Sequence, residues 1–499
     1  MHTQATGVVW ALLVAFEVLR VALRGLLVVL VFHFVRAAWA SVWRQPPREP
    51  APPEAWPSVT VQLPLKNEYY VVERVIRAAC ALDYPAERLD IQVLDDSTDE
   101  TRERAREVVE RARAEGTRIE HIHRSAPRGF KAGALNNGLE TARGEFLAMF
   151  DADCVPPPDF LRRVIPHFAA PEVGCVQVRW GFLNRHHSLL TRLQAIVLDG
   201  LFVVDQHARA SSRLPLQFNG TNGVWRRKAI DEAGGWSADI LAEDADLSFR
   251  AYLAGYRVLH VSDYAVPTEI PEDMAAFRAQ QRRWALGSAQ MLRTLGLRIL
   301  TADVPVRAKL MMFMHLGRHA IDPLILLACI TSPFTTLYDM PFLVDYGTFW
   351  NAGLVGLVLL SSLLFYGRAV TRGGSRPSEA LLVPLILPLA MGMSLLYTLA
   401  FFRGIVERGG SFVRTPKAGS EGGKRRGPRY LAPRDPLVIA ELLLAVAHAY
   451  FAFVAAQKGI YAYALFFGLT AGSFGWVGLA TLGSRGVGSG TREGARAEG

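Results

Sequence analysis

Cysteine is scarce in this chain: four in 499 residues, Cys80, Cys154, Cys175 and Cys329, with no CxxC pair and no histidine ladder nearby. That spacing excludes a disulfide framework or a structural zinc site. Charge is thin as well, at 20% of residues, against about 25% in an ordinary soluble domain. The shortage is uneven. Residues 45–305 carry charge as a soluble α/β sequence does, whereas 7–40 and 308–483 hold long, nearly uncharged runs. A purely soluble protein is excluded by that segregation, and at 51% hydrophobic residues so is a disordered or fibrous one. Basic residues are missing from two places. None precedes the first apolar run, which therefore lacks the basic start of a cleaved signal peptide. None lies between Arg318 and Arg368.

Lys and Arg (55) exceed Asp and Glu (46), for a net charge of +9. Much of the excess flanks apolar runs, as at the cytoplasmic ends of membrane helices, so nucleic acid is not the expected partner. A spanning helix needs about 20 apolar residues. Residues 1–44 supply an anchor, cleanest over Gly25–Ala40, with Glu17, Arg20 and Arg24 in its first part. Arg36, Arg44 and Arg48 at its end orient the N-terminus outside and the following insert inside. Further runs lie at about 309–335, 350–368, 379–402, 436–456 and 459–483, after an interfacial amphipathic stretch at 285–308. The loop at 403–434 is strongly basic (Arg403, Arg408, Arg414, Lys417, Lys424, Arg425, Arg426, Arg429, Arg434) and belongs inside. That assignment fails if 379–402 crosses fully, and Pro384, Pro388 and Gly392 suit a broken segment. The expectation is five full spans with 379–402 re-entrant or interfacial, and a disordered tail at 484–499. The implied location is a multi-pass cell-membrane protein with its insert in the cytoplasm.

The six prolines of 45–57 make a stiff linker into the insert. Within 58–284, apolar runs at Val59–Leu63, Asp90–Leu94, Arg118–Ile122, Glu145–Phe150 and Gly174–Val178 read as strands. Between them Arg102–Glu115 places Ala105, Val108, Val109 and Ala112 on one helical stripe, with Gly116 as a stop. Such alternation predicts an α/β domain with a mostly parallel sheet, whose ligands sit at the carboxyl ends of the strands.

Polar clusters do fall just after those strands. The first strand runs into Glu68, the second into Asp95-Asp96-Ser97-Thr98-Asp99. Asp99 reads as a helix cap, while two adjacent carboxylates repel unless something binds them. The fourth strand ends in Asp151-Ala152-Asp153, carboxylates two apart that can turn toward one hard divalent cation. The alternative for a lone DxD is an ordinary turn. Lys131, at the start of a glycine-spaced helix, opposes the helix dipole unless an anion shares the site; otherwise it is a solvated lysine. Glu243, Asp244 and Asp246 open another helix, where acidic residues are usually caps. Gln280-Gln281-Arg282-Arg283-Trp284 closes the insert with guanidinium groups suited to a diphosphate and an indole suited to a sugar ring. For Arg282 an interfacial role beside the bilayer suffices.

In this order and spacing, the D, DxD, ED and QxxRW motifs resemble the membrane-bound family 2 glycosyltransferases, in particular their cellulose-synthase-like, glucomannan (mannan) synthase-like branch. The stretches Phe218-Asn219-Gly220-Thr221-Asn222-Gly223 and Gly234-Gly235-Trp236 fit it too, over about 57–300. Phe412-Val413-Arg414-Thr415-Pro416-Lys417 is similar to the FxVTxK gating loop of cellulose synthases. Three positions depart from the pattern: Lys66 for Tyr, Asn222 for Ala and Ala242 for Thr. The resemblance implies a GT-A-type, Rossmann-like catalytic domain and inverting transfer from a nucleotide-sugar donor, UDP-glucose or GDP-mannose, to a glycan. It implies Asp244 as catalytic base and Mg2+ or Mn2+ on Asp151 and Asp153. Glu68, Asp95 and Asp96 would meet the nucleoside, and Lys131, Arg283, Phe412, Thr415 and Lys417 the donor diphosphate. Phe218, Asn219, Gly220, Glu243, Gln280 and Trp284 would meet the sugars. Arg318, His319 and Asp322 are polar enough to line an exit channel. The product on this reading is a secreted β-glucan or glucomannan. A glycolipid made on a lipid acceptor is the alternative, and a transporter with a sugar-nucleotide-sensing domain a remote one. Partner subunits leave no mark in the sequence.

Overall fold

The computed structural model of the chain describes residues 2–43, 50–337, 347–410 and 435–484. Seven strands, β1 (Val59–Leu65), β2 (Leu89–Asp95), β3 (Ile119–His123), β4 (Phe146–Met149), β5 (Val173–Phe182), β6 (Gly223–Arg226) and β7 (Arg257–Thr268), form one sheet. Its order is β3-β2-β1-β4-β6-β5-β7. β1 runs parallel to β2 and β4, β2 to β3, and β5 to β7, while β6 is antiparallel to both β4 and β5. The sheet is therefore mixed but mostly parallel, as the alternation of strands and helices requires.

Both faces of the sheet are covered. Val59, Val61 and Leu63 of β1 pack with Val72, Val75 and Ile76 of the Val72–Cys80 helix on one side. Leu94, Leu147 and Met149 pack with Leu135, Trp225 and Trp236 on the other. Polar residues in the central strands are paired, because a buried polar group without a partner is costly. Gln62 Nε2 donates to Gln92 Oε1 at 3.0 Å, and Thr60 Oγ1 accepts from Gly144 N at 2.8 Å. β6 and β7 were not apparent from periodicity. β6 is four residues long, and β7 has Ser262 and Asp263 at its middle and Pro267 near its end.

In the apolar half, Val14–Trp43, Gly353–Arg372, Pro377–Val406, Leu437–Gln457 and Tyr461–Leu482 are each long and apolar enough to cross a membrane. The segment expected as a span at 309–335 is instead two helices, Val306–Leu316 and Arg318–Phe334, bent by 59°. The first of them belongs under the α/β domain: Met312 and Leu316 are buried with Phe249, Met291 and Ile299. Around 379–402 the prolines break nothing. Pro384 lies in the 3-10 stretch Pro377–Leu385, and Pro388 in the first turn of Ile386–Val406, where the missing N–H has no helical acceptor.

Both ends of this proline-bearing segment touch the α/β domain. Glu379 accepts from Arg185 at 2.9 Å, and Gly409 N donates to Asp239 O at 3.1 Å. In between it lies on the Met274–Thr301 helix so closely that a Cβ at Gly404 would be 2.4 Å from Leu286 O. The Leu437–Gln457 helix behaves differently. It starts at Asp435, held by Arg278, and ends at Lys458, whose amine donates to Leu337 O. Tyr461–Leu482 returns, and Ser484 Oγ accepts from Ala275 N at 3.1 Å.

Candidate active site

The carboxyl ends of β1 and β4, the β5–β6 connection and the Glu243–Leu253 and Met274–Thr301 helices enclose a cavity of about 230 Å³. Glu68, Asp96, Lys131, Asp151, Asp153, Phe218, Asn219, Gly220, Glu243, Asp244, Gln280, Arg283 and Trp284 all line it. These residues are far apart in sequence, and the fold brings them together at the strand ends, where ligands of such sheets sit.

At its centre the Lys131 ammonium bonds the Asp151 carboxylate and donates to Gly220 O at 2.8 Å. Gly220 has φ +83°, and a Cβ there would lie 2.9 Å from Asp244 Oδ2 and 3.5 Å from Lys131 Nζ. Glycine is thus required twice, by backbone conformation and by the approach of both charged groups. Lys131 is neither solvated nor a helix-dipole liability. Burial alone would lower its pKa, but Asp151, Glu243 and then Asp244 together raise it above the ordinary lysine value, so it is charged.

Glu243 and Asp244 open their helix inside the cavity wall. Asp244 Oδ1 accepts from Ala245 N at 2.8 Å, so the carboxylate has the bond of a helix-start acid while facing the cavity. Burial raises the titration of both carboxyls above the usual range, Glu243 further because Asp244 is beside it, with Lys131 opposing. Such a pair titrates jointly. A carboxylate raised in this way is suited to accept a proton near neutral pH. Arg283 is lowered by burial, against the pull of Glu243 and Asp151. Asp246 points away and pairs with Arg250 at 2.8 Å, a structural bond.

Among the described residues no group of three or more His, Cys, Asp or Glu is placed to hold a metal ion. The two-carboxylate set Asp151 and Asp153 nevertheless fits a divalent cation that takes its remaining ligands from phosphate oxygens. Asp151 is 38% exposed toward the cavity and already carries a cation, the Lys131 ammonium. Its backbone is fixed, since Asp151 N donates to Thr221 Oγ1 at 2.8 Å, and Asp153 accepts from Thr268 Oγ1 at 3.1 Å.

Two expectations need correction. Asp95 does not reach the cavity: it is fully buried, bonded to His121 Nε2 at 2.9 Å and to Ser97 N at 2.8 Å. Burial works against its charge, yet these bonds hold it below the ordinary carboxylate range. The repulsion expected of the Asp95–Asp96 pair is relieved separately on each side, because Asp96 takes a two-pronged bond from Arg124. Phe218 has no exposed ring face; it stands edge-on to Trp225 at 5.9 Å and backs the cavity wall. Asp99, expected as the cap, stands one residue before the N-cap Glu100 and accepts from Thr101 N at 3.0 Å. Phe412, Thr415 and Lys417 lie outside the described residues.

Several contributors went unnoticed in the sequence. Arg124 grips Asp96 and also donates to Phe130 O at 3.1 Å, tying β3 to the start of the Lys131 helix. Glu269 lines the cavity just after β7 and pairs with Arg74 at 2.7 Å. Both follow strands, so the strand-end rule applied to β3 and β7 would have found them. His315 and Arg318 line the cavity where the Val306–Leu316 helix ends, and His319 and Asp322 pair beside them at 3.0 Å. Two departures from the family pattern have local reasons. Asn222 sits at φ +61°, which Asn tolerates better than Ala. Ala242 packs on Gly287 so tightly that a Cβ there would be 2.8 Å away, leaving little room for a branched side chain. Lys66 lies in the cavity wall, its amine 5.9 Å from the centre of the Phe130 ring.

The model of glycosyl transferase family group 2 matches residues 146–402, and that of glycosyl transferase family 2 matches 60–230. The chain is 41% identical over 283 residues, 55% of its length and 48% of the relative's, to probable glucomannan 4-beta-mannosyltransferase 7 of Oryza sativa subsp. japonica. To glucomannan 4-beta-mannosyltransferase 2 of Arabidopsis thaliana it is 44% identical over 250 residues, 49% and 47% of the two chains. It thus spans about half the length of these curated relatives. A solved mannosyltransferase from Pyrobaculum calidifontis, in complex with GDP-Man and Mn2+, superposes with TM-score 0.49 at 22% identity, covering 77% of this chain and 98% of that one.

Proposed function

The chain belongs to glycosyl transferase family group 2, and from that premise we propose that it is an inverting glycosyltransferase elongating a β-linked glucomannan- or glucan-type polysaccharide. The donor on this reading is GDP-mannose or UDP-glucose, with the mannosyl donor favoured by the names of its relatives. One observation carries the proposal. The half-buried carboxylate of Asp244 and the cationic Lys131 meet at Gly220, in the same cavity as Asp151, Arg283 and Trp284.

Each group has a task. Asp244 accepts the proton of the acceptor hydroxyl, a role typically worth ~10²–10⁴ in rate. Lys131 and Arg283 lie where negative charge develops on the departing diphosphate. Trp284 offers an indole to the acceptor ring, and Glu68 and Asp96 line the nucleoside end of the cavity. Asp151 and Asp153 would hold Mg2+ or Mn2+, which supplies further positive charge to the leaving diphosphate. Phe412, Thr415 and Lys417 belong to this reading as a gate that folds over the donor and excludes water.

The proposed topology has five spans: the N-terminal helix, the 3-10 turn Arg318–Ile321 continued by Asp322–Leu337, Gly347–Arg372, Leu437–Gln457 and Tyr461–Leu482. The segment at 377–406 stays on the catalytic side, as the contacts of Glu379 and Gly409 with the α/β domain favour. That side is cytoplasmic by the placement of the basic residues, and the polymer leaves past Arg318.

Purified full-length protein in lipid nanodiscs, given labelled GDP-mannose, GDP-glucose and UDP-glucose in turn, should form a size-distributed polymer from one of them. EDTA should abolish the reaction. Asp244→Asn should fold and bind nucleotide yet lose at least a hundredfold in transfer, roughly the low end of general-base effects. Near-normal transfer by that variant would remove Asp244 as the base. A single sugar on a lipid would replace polymer synthesis by glycolipid synthesis.

A further inference from the structure

Among the described residues, four lysines and arginines line the catalytic cavity: Lys66, Lys131, Arg283 and Arg318. Three of them belong to the chemistry, since Lys131, Arg283 and Arg318 each lie within electrostatic reach of Asp244. Lys66 stands elsewhere. It follows β1, in a turn joined to the end of β2, whereas Asp151 follows β4 on the other side of β1. Its amine lies 5.9 Å from the centre of the Phe130 ring, which lines the cavity with it. That separation is at the outer limit of a cation–π contact, about 6 Å, so the ring holds the amine weakly and a carbonyl oxygen competes for it. Lys66 also occupies a position where the family pattern has Tyr.

Both residues are aimed by backbone that other groups fix. Asn67, next to Lys66, is left-handed at φ +54°, and Phe130 at φ +48°. For a bulky aromatic residue this conformation is costly and persists only where the surroundings impose it. Arg124 imposes it, donating to Arg128 O at 3.0 Å and to Phe130 O at 3.1 Å while gripping Asp96. Asn67 is held from the same segment: its N donates to Ser97 Oγ at 2.9 Å, and its Oδ1 accepts from Thr98 N at 2.9 Å. Residues 96–98 thus fix the Lys66 turn and the Phe130 turn together. The pair offers an aromatic ring and a cation, with both Asp96 oxygens already taken by Arg124.

A planar base suits such a pair, its face against the ring and its edge toward the amine. An ammonium donates and accepts nothing. It therefore fits a base edge that carries neighbouring acceptors. Guanine presents O6 and N7 side by side, and lysine is a common partner of that edge. Adenine sets an amino donor beside N7, and a uracil edge offers O4 without a second acceptor next to it. The inference rests on the reading of this cavity as a nucleotide-sugar site. We propose that Lys66 is a specificity-determining residue that selects a guanine over a uracil donor, donating to O6 and N7 of a base resting on Phe130.

The test is titration calorimetry of free nucleoside diphosphates into the purified full chain with Mg2+ present. Wild type should bind GDP about tenfold more tightly than UDP, within the range of a bidentate base contact. Lys66→Met keeps the apolar stem and should lose about tenfold for GDP and little for UDP. Lys66→Arg, which can also donate to both acceptors, should keep the preference. Replacing GDP by 7-deaza-GDP, which lacks N7, should cost wild type affinity and leave Lys66→Met unaffected. Equal losses for GDP and UDP in Lys66→Met would make the residue a phosphate contact and overturn the proposal. So would tighter binding of UDP by wild type, or an unchanged GDP affinity in a folded Lys66→Met. If wild type binds no nucleoside diphosphate, the nucleotide-sugar reading itself falls; binding without a base preference removes the role of Lys66 alone.

Discussion

Glu243 and Asp244 show how one residue pair serves stability and chemistry in opposite senses. Burial first, and for Glu243 the adjacent carboxylate next, keep the pair protonated to higher pH than ordinary acids. A carboxyl whose folded pKa is raised contributes stability that is fully present below its unfolded pKa and lost as pH rises through the folded one. Removing the Glu243 charge therefore removes a cost paid only on the high-pH side. Glu243→Gln should raise the melting temperature at neutral pH, with the gain vanishing in mildly acidic buffer, where wild type is also neutral. The acid limb of the pH–rate profile should move to lower pH, because Asp244 loses a neighbouring negative charge. Thermal melts and initial rates across pH check both; a melting gain that grows on acidification would contradict the assigned direction.

Between elements, the joint most dependent on charge is the one holding the 377–406 segment to the α/β domain. Arg185 Nη1 bonds Asp199 at 2.7 Å and Nη2 bonds Glu379 at 2.9 Å, with the two carboxylates only 1% and 5% exposed. Burial pushes Asp199 up to about 6 against the pull of Arg185. Removing the arginine strands Asp199 and leaves Glu379, among the described residues, only His186 at 3.4 Å, and losing one partner of a buried ion pair costs about 3–5 kcal/mol. Arg185→Ala should lower thermal stability accordingly and open the 373–385 stretch to protease. Arg185→Lys should recover only part of the loss, because a single ammonium lacks the planar fork that reaches two carboxylates. Unchanged melting and proteolysis would show that apolar packing, such as Gly404 on Leu286, suffices for the joint.

At the scale of the molecule, connectivity and side are coupled. On the proposed topology, with 377–406 kept on the catalytic side, position 420 is expected to be reached from that side and position 345 from the other. In a background with the native cysteines replaced, Ser420→Cys should react with impermeant maleimide from the catalytic side, and Asp345→Cys from the opposite side. Labelling of position 420 from the far side would make 377–406 a crossing helix and remove the basic loop from the neighbourhood of the donor.

Much of this was legible in the primary structure, for definite reasons. Strand–helix alternation dictates a mostly parallel sheet, and such sheets place their ligands at strand ends, so the candidacy of Glu68, Lys131, Asp151 and Asp153 is legible in the sequence. The long uncharged runs dictate membrane helices in the same way, because apolar length is a local property. Pairing is not local. Nothing beside Asp95 says that His121, two strands away, will bury and occupy it, or that Arg124 will take Asp96. Nothing near Phe218 says that Trp225 will cover its ring. The break of the 306–334 stretch at Gly317, in place of the proline-rich run at 379–402, likewise depended on Met312 and Leu316 finding Phe249 beneath the domain. Residue type and spacing determined which groups would gather at the strand ends; only tertiary packing decided which of them remain free to meet a ligand, since a buried charge is claimed by whatever partner the fold brings within reach.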